Sequence, residues 1–401
     1  MSTLFEAVEL APRDPILGLN EQYKADERPG KVNLGVGVYY DDQGRVPLLK
    51  CVHQAEVDRV QAAGAHSYLP IEGLTALNTA ARQLVLGKGS EAIESGRAFT
   101  VQAVGGTGAL KIGADYLKQL LPNAKVAIST PSWENHRALF ERAGFEVLEY
   151  AYYDKQTHGL NLQGMLDSIA ALPSGSIVVV HACCHNPTGV DPTPAQWQQI
   201  IDVIKAGGHV PFLDMAYQGF GDGLEQDAAA VRGFIDAGLT CLISTSFSKS
   251  FSLYGERIGA LTVVTGSADE AKRVLSQVKR VIRTNYSNPP TFGGAVVAEV
   301  LNNDALFALW ETELADMRSR IKDMREQLVA KLKAAGVQTN FDFVLQQKGM
   351  FSYSGLTAGQ VDALREQHSI YAVGSGRICV AALNSTNIDT VANAIAAVLK
   401  A

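Results

Sequence analysis

Between residues 126 and 265, short runs of apolar residues alternate with stretches in which apolar positions recur every three or four residues. The runs predict strands at 126–130, 146–150, 177–181, 210–214, 241–245 and 260–265. The periodic stretches predict helices at 109–120, 134–143, 195–205 and 227–236. Thr193 followed by Pro194 supplies a hydroxyl cap and a first-turn proline, a good helix start. Strands that alternate with helices predict an α/β fold, a mostly parallel sheet with helices on both faces. Ligands of such sheets bind beyond the carboxyl ends of the strands, so chemistry is expected just after each apolar run.

The pattern changes near residue 306. A long amphipathic stretch over 306–335 predicts a helix linking two domains, and short strands and two helices follow it. Thr357 and Gln360 have capping-box spacing for one of these. The tail is expected to form a small α+β domain, with residues 32–40 packed near it. The division expected is an N-terminal arm (1–13), a large domain (47–316), and a small domain from 14–46 and 317–401. A chain of 401 residues is long for a single core, which favours two domains.

Composition narrows the function. Apolar residues are 47% and charged residues 19%, as in an ordinary soluble enzyme. A net charge of −6 gives no electrostatic reason to seek nucleic acid or anionic membranes, so any anionic ligand needs a local cationic site. No apolar run approaches the length of a membrane span, and the acidic N-terminus does not read as a signal peptide. Five irregularly spaced cysteines imply no disulfide framework and fit a reducing cytosol.

Five segments could carry chemistry. Gly105-Gly106-Thr107-Gly108 leads into a helix and could present free N–H groups to a phosphate; a plain tight turn fits equally. In Ser246-Phe247-Ser248-Lys249, with Arg257 nearby, a lysine among small hydroxyls has the makings of a Schiff-base site. A surface lysine in a polar loop is the plainer alternative. Asp214 ends an apolar run three residues before Tyr217; it could cap a helix or hold a ring nitrogen protonated. His181-Ala182-Cys183-Cys184-His185-Asn186 suggests a metal, but the spacing does not suit a zinc site, and neighbouring cysteines on a strand would face opposite ways. No metal is therefore expected, and Asn186 could donate its amide to a ligand oxygen. Arg283 and Arg377 could each clamp a carboxylate or be surface charges.

Taken together, SWENH, CCHNPTG, FLDMAYQGF, SFSKSFSLYGER, NYSNPP and GMFSYSGL resemble the fold-type I aminotransferases. Within these the chain is similar to the aspartate and aromatic-amino-acid subgroup, and its wording is closest to the aromatic branch. The resemblance covers nearly the whole chain. It implies pyridoxal 5′-phosphate as cofactor, amino acids and 2-oxo acids as substrates, and a homodimer with shared active sites. It implies that Lys249 bonds the cofactor and moves the proton, that Asp214 partners the pyridinium nitrogen, and that His136 supports Asp214. It implies that Tyr217 and Asn186 bind the phenolic oxygen, and that Trp133 stacks on the ring. Gly105, Gly106, Thr107, Ser246, Ser248 and Arg257 would cradle the phosphate, with Tyr68 reaching in from the other subunit. Arg377, helped by Gly37 and Asn186, would clamp the α-carboxylate, and Arg283 of the other subunit a second one. The activity implied is ping-pong transamination between tyrosine or phenylalanine, with aspartate as a further substrate, and 2-oxoglutarate. A dedicated aspartate aminotransferase is the alternative. A lyase on the same scaffold would not need both arginines, and a non-enzymatic binder would not need Lys249 and Asp214.

Overall fold

The computed structural model describes residues 3–400. Its centre is a seven-stranded sheet. In chain order the strands are β1 (Ala98–Val104), β2 (Val126–Thr130), β3 (Val147–Ala151), β4 (Ile177–His181), β5 (Val210–Met215), β6 (Cys241–Ser246) and β7 (Ile258–Val264). In space they run β1-β7-β6-β5-β4-β2-β3. Neighbours from β6 to β3 pair in parallel, while β7 is antiparallel to both β6 and β1. Six strands therefore end at one edge of the sheet and β7 begins there. Arg257, immediately before β7, reaches that edge for this reason.

The expected strands are present with ends shifted by one or two residues. β1 was not anticipated. Its sequence, AFTVQAV, carries two polar residues in a buried strand, which breaks the apolar run. Both are satisfied: Thr100 bonds Thr262 across the strands at 2.8 Å, and Gln102 donates to the Pro290 carbonyl and accepts from the Leu74 N–H. Further helices were not anticipated, the longest at Lys50–Ala62, Thr75–Leu86, Ala268–Asn285 and Phe292–Asn302, with nine-residue ones at Leu17–Ala25 and Leu162–Ala170.

Helix α1 (Gly105–Leu120) leaves β1 directly, α2 (Glu134–Arg142) follows β2, and α3 (Pro194–Ala206) follows β4. In α3, Thr193 and Gln196 exchange the two bonds of a capping box. The stretch expected as one helix at 227–236 is broken into Leu224–Asp227 and Ala229–Asp236. The Asp227 carboxylate turns back to accept the N–H groups of Gly219, Gly221 and Asp222, which fixes the loop after β5. The long helix α4 (Asp304–Ala334) starts on an Asn303 cap and leads to the C-terminal elements. There Thr357 and Gln360 form the second capping box, and Val32–Asn33 pairs in parallel with Ile370–Tyr371. Among the described residues no single helix is long and apolar enough to cross a membrane.

Candidate active site

The carboxyl edge of the sheet opens into a cavity bounded by residues from both halves of the chain. Most of the side chains singled out in the sequence meet here, many of them delivered by the ends of neighbouring strands.

One end of the cavity suits a phosphate. α1 begins at Gly105, whose φ of +70° favours glycine, and points its free N–H groups into the cavity. A Cβ on Gly105 would lie 2.4 Å from Arg257 Nη2, and one on Gly106 would lie 3.0 Å from Ser246 Cβ. The glycines thus leave room that any side chain would fill. Arg257 is itself left-handed (φ +57°) and donates to Ser248 Oγ at 3.2 Å and to the Tyr254 carbonyl at 3.1 Å. A helix N-terminus, two serine hydroxyls and a guanidinium converge, and this donor set fits a phosphate dianion.

Lys249 follows β6 and enters the middle of the cavity. Burial disfavours its charge and pushes the ammonium down to about 8; Asp214 opposes that shift and Arg257 reinforces it. Its Nζ lies 5.3 Å from the centre of the Tyr217 ring. Burial also raises the Tyr217 phenol well above its ordinary value, so it remains a hydrogen-bond donor at neutral pH.

At the far wall Asp214 is the last residue but one of β5. Its Oδ2 meets His136 Nε2 at 2.8 Å, and His136 Nδ1 meets Ser132 Oγ at 2.9 Å. Burial favours the neutral acid, yet the His136 bond and nearby positive charge outweigh it and hold the Asp214 carboxyl below its usual range. His181, lying between His136 and His185 with ring centres 4.9 and 4.4 Å away in tilted and edge-on contacts, is pushed well below its ordinary value by burial. Being neutral, it leaves the support of Asp214 chiefly to His136. His136, His181 and Asp214 offer three ligand atoms within 4.8 Å of one another, but both His136 nitrogens already have partners.

Arg377 begins the short strand Arg377–Cys379 and is 1% exposed, which removes the surface-charge reading. Its Nη1 donates to Asn186 Oδ1 at 3.0 Å and its Nη2 to the Gly35 carbonyl at 2.6 Å. Its guanidinium rests over the Phe351 ring, 4.3 Å from the centroid. Gly37 and Trp133 line the same cavity, Trp133 with its edge to His136.

Two expected residues do not reach this cavity from their own chain. Tyr68 is 91% exposed, and with Arg283 it borders an open surface groove; Arg283 donates there to Ser287. The cysteine pair also differs from the expectation. Cys183 and Cys184 lie beyond the end of β4, and Cys184 is left-handed (φ +51°), so the pair does not alternate across a strand. Their sulfurs instead share a buried pocket with the Asp227 carboxylate. Ile16, His181 and Phe351 also line the cavity and were not anticipated. His181 had a visible signal as the last residue of an apolar strand. The other two depend on tertiary packing.

A phosphate cradle, a lysine amine of reduced basicity and a buried carboxylate poised for a ring nitrogen together define a pyridoxal-phosphate-dependent enzyme of the α/β type. The sequence comparisons narrow this further. The model of the family "Aminotransferase class I and II" matches residues 29–395, and the chain belongs to that family. An aspartate aminotransferase of Pseudomonas aeruginosa is 62% identical over 397 residues, covering 99% of this chain and 100% of that protein. An aromatic-amino-acid aminotransferase of Escherichia coli is 49% identical with the same coverage. The solved aromatic-amino-acid aminotransferase of Burkholderia pseudomallei, covalently bound to pyridoxal phosphate, matches with a TM-score of 0.97 and 63% identity, over 99% of this chain and 100% of its own.

Proposed function

We propose that this enzyme transfers amino groups between tyrosine or phenylalanine, with aspartate as a further substrate, and 2-oxoglutarate. The observation that carries the reading is the meeting of Lys249, the Asp214–His136 pair and the buried Arg377–Asn186 pair in one cavity. Bound pyridoxal phosphate supplies an aldehyde for the amine and a ring that accepts the electron pair left when the α-proton departs.

The protein groups divide the remaining work. The N-terminus of α1 with Gly105, Gly106, Thr107, Ser246, Ser248 and Arg257 holds the phosphate. Asp214, kept ionised by His136, holds a proton on the ring nitrogen. Tyr217 and Asn186 donate to the phenolic oxygen, and Trp133 covers one ring face. Lys249 bonds the cofactor at rest. When free, its Nζ would serve as the base that holds and moves the substrate's α-proton. Arg377, with Asn186 and the Gly37 backbone, fixes the α-carboxylate.

The chain is proposed to act as a homodimer in the cytosol. The surface positions of Tyr68 and Arg283 support this, since each would then serve the partner's cavity: Tyr68 at the phosphate, Arg283 at a distal carboxylate. The division proposed is an arm (1–13), a large domain (47–316) and a small domain (14–46 with 317–401); the cavity's lining supports it, since Ile16, Gly37, Phe351 and Arg377 would come from the small domain and the rest from the large one. The P. aeruginosa relative favours the second reading, a dedicated aspartate aminotransferase. Comparing kcat/KM for phenylalanine, tyrosine and aspartate with 2-oxoglutarate decides between them. Activity confined to aspartate rejects the aromatic reading.

A further inference from the structure

Arg377 is a cation with almost no solvent, two hydrogen bonds to neutral oxygens and a buried Nε that has no partner. No carboxylate within salt-bridge distance balances it among the described residues. A lone buried guanidinium is costly unless its surroundings compensate, and an aromatic face is one such surrounding. Phe351 provides that face, with Arg377 Cζ 4.3 Å from its centroid.

The same ring touches two other parts of the cavity. Its edge meets the Tyr217 ring at 5.9 Å and 83°. Its Cζ lies 2.6 Å from where a Cβ of Gly37 would stand, so the Gly37 backbone rests on the ring tip. Phe351 is itself held from behind. Arg325, 2% exposed on α4, donates to the carbonyls of Val344 (3.3 Å), Gly349 (2.8 Å) and Phe351 (2.6 Å). One buried guanidinium therefore fixes the backbone that carries the ring supporting another.

We propose that Phe351 is a positioning residue for carboxylate recognition: its ring face sets the plane of the Arg377 guanidinium, and Arg325 sets the ring. The proposal rests on the aminotransferase reading of the cavity. Arg377 meets the carboxylate while Phe351 acts through it. The negative face of the ring lowers the cost of the buried charge before substrate arrives, so the clamp is preorganised. The ring also stops the guanidinium from tilting toward Tyr217.

The test uses the holoenzyme with Phe351→Leu, and with 3,5-difluorophenylalanine at position 351. The second change keeps the ring and withdraws electron density from its face. Succinate binding, measured by calorimetry, is expected to weaken about tenfold to thirtyfold in Phe351→Leu and about threefold in the fluorinated protein. KM for amino acids rises in step, with a smaller change in kcat. Pyridoxal phosphate affinity, and the half-reaction with phenethylamine, which lacks a carboxylate, stay within about twofold of wild type. Equal losses for carboxylate and amine ligands would show that Phe351 is ordinary packing and overturn the proposal. Unchanged succinate binding in Phe351→Leu overturns it as well. A wild-type holoenzyme inert toward every amino acid would reject the aminotransferase reading itself, which separates the two failures.

Discussion

Removing the Asp214 carboxylate is the sharpest perturbation of the site. In the folded chain Oδ2 accepts from His136 Nε2 at 2.8 Å, and the carboxyl is held below its usual range although it is buried. Asp214→Ala leaves the His136 donor without a partner and removes the group proposed to keep a proton on the cofactor's ring nitrogen. Each stranded buried donor costs about 1–3 kcal/mol, and breaking a buried pair as a unit costs about 3–5 kcal/mol. Those penalties fall on the fold; for catalysis, losing one preorganised stabiliser of the charge that develops in the ring costs about 2.7–4 kcal/mol, so kcat/KM should fall by about two to three powers of ten. Steady-state kinetics with 2-oxoglutarate gives the number, and the absorbance of the bound cofactor reports the ring's protonation separately. The sign of the pH effect is also fixed. A depressed carboxyl contributes stability above its unfolded value, near pH 4, and loses it as pH falls through the lower folded value. Asp214 should therefore leave no inflection in the rate profile between pH 5 and 9, and the stabilising contribution that Asp214→Ala deletes should fade only below about pH 4. Kinetics of Asp214→Ala within a few-fold of wild type would refute the electron-sink role.

Other expectations follow from single contacts. Lys249→Ala should bind pyridoxal phosphate without a covalent bond and lose multiple turnover; mass spectrometry after borohydride reduction should show no cofactor adduct. In the cofactor-free protein, Lys249 should acylate half-maximally near pH 8, far below ordinary lysines, and Asp214→Ala should lower that midpoint further, because Asp214 opposes the shift. Gly105→Ala forces a left-handed non-glycine, at about 1–2 kcal/mol, and pushes a methyl to 2.4 Å from Arg257. Cofactor affinity by titration should drop about tenfold or more. Arg283→Leu should damage aspartate turnover far more than phenylalanine turnover; equal losses in kcat/KM would remove Arg283 from the distal site.

The sheet was legible where its strands are apolar up to their last residues, as in Ile177–His181 and Val210–Met215, since parallel strands are buried on both faces. β1 hid because Thr100 and Gln102 interrupt its run, and only their tertiary partners make them acceptable in a core. Lys249, Asp214 and Asn186 were legible because each sits just past a strand end, and a parallel sheet brings such ends together. The pairing of Asp214 with His136 was implied by family resemblance, since 78 residues separate them and no local pattern joins them. Phe351 was not legible as part of the site. Its role depends on the distance to Arg377 across a two-stranded pairing of Phe351–Tyr353 with Arg377–Cys379, and short strands leave a weak trace in sequence.

With the proposed roles, Arg377 for the α-carboxylate and the other subunit's Arg283 for a distal one, one cavity could serve substrates with unlike side chains. Every amino acid and 2-oxo acid carries the same carboxylate beside the reacting carbon, so its clamp gains from rigidity. Arg377 is held on several sides: buried, bonded to Asn186 and the Gly35 carbonyl, and seated over the Phe351 ring. The distal group varies, and a fixed buried cation facing an aromatic ring would lose hydrogen bonds it could not replace. Arg283 in the single chain is exposed at the end of a helix and tied to Ser287, four residues on. A long side chain anchored only near its own backbone can turn to water when no second carboxylate is present. Fixed recognition of the shared group, with adjustable recognition of the variable one, is what acceptance of both phenylalanine and aspartate would require. On this view, locking Arg283 in place should narrow the enzyme toward aspartate, while loosening Arg377 should weaken every substrate alike.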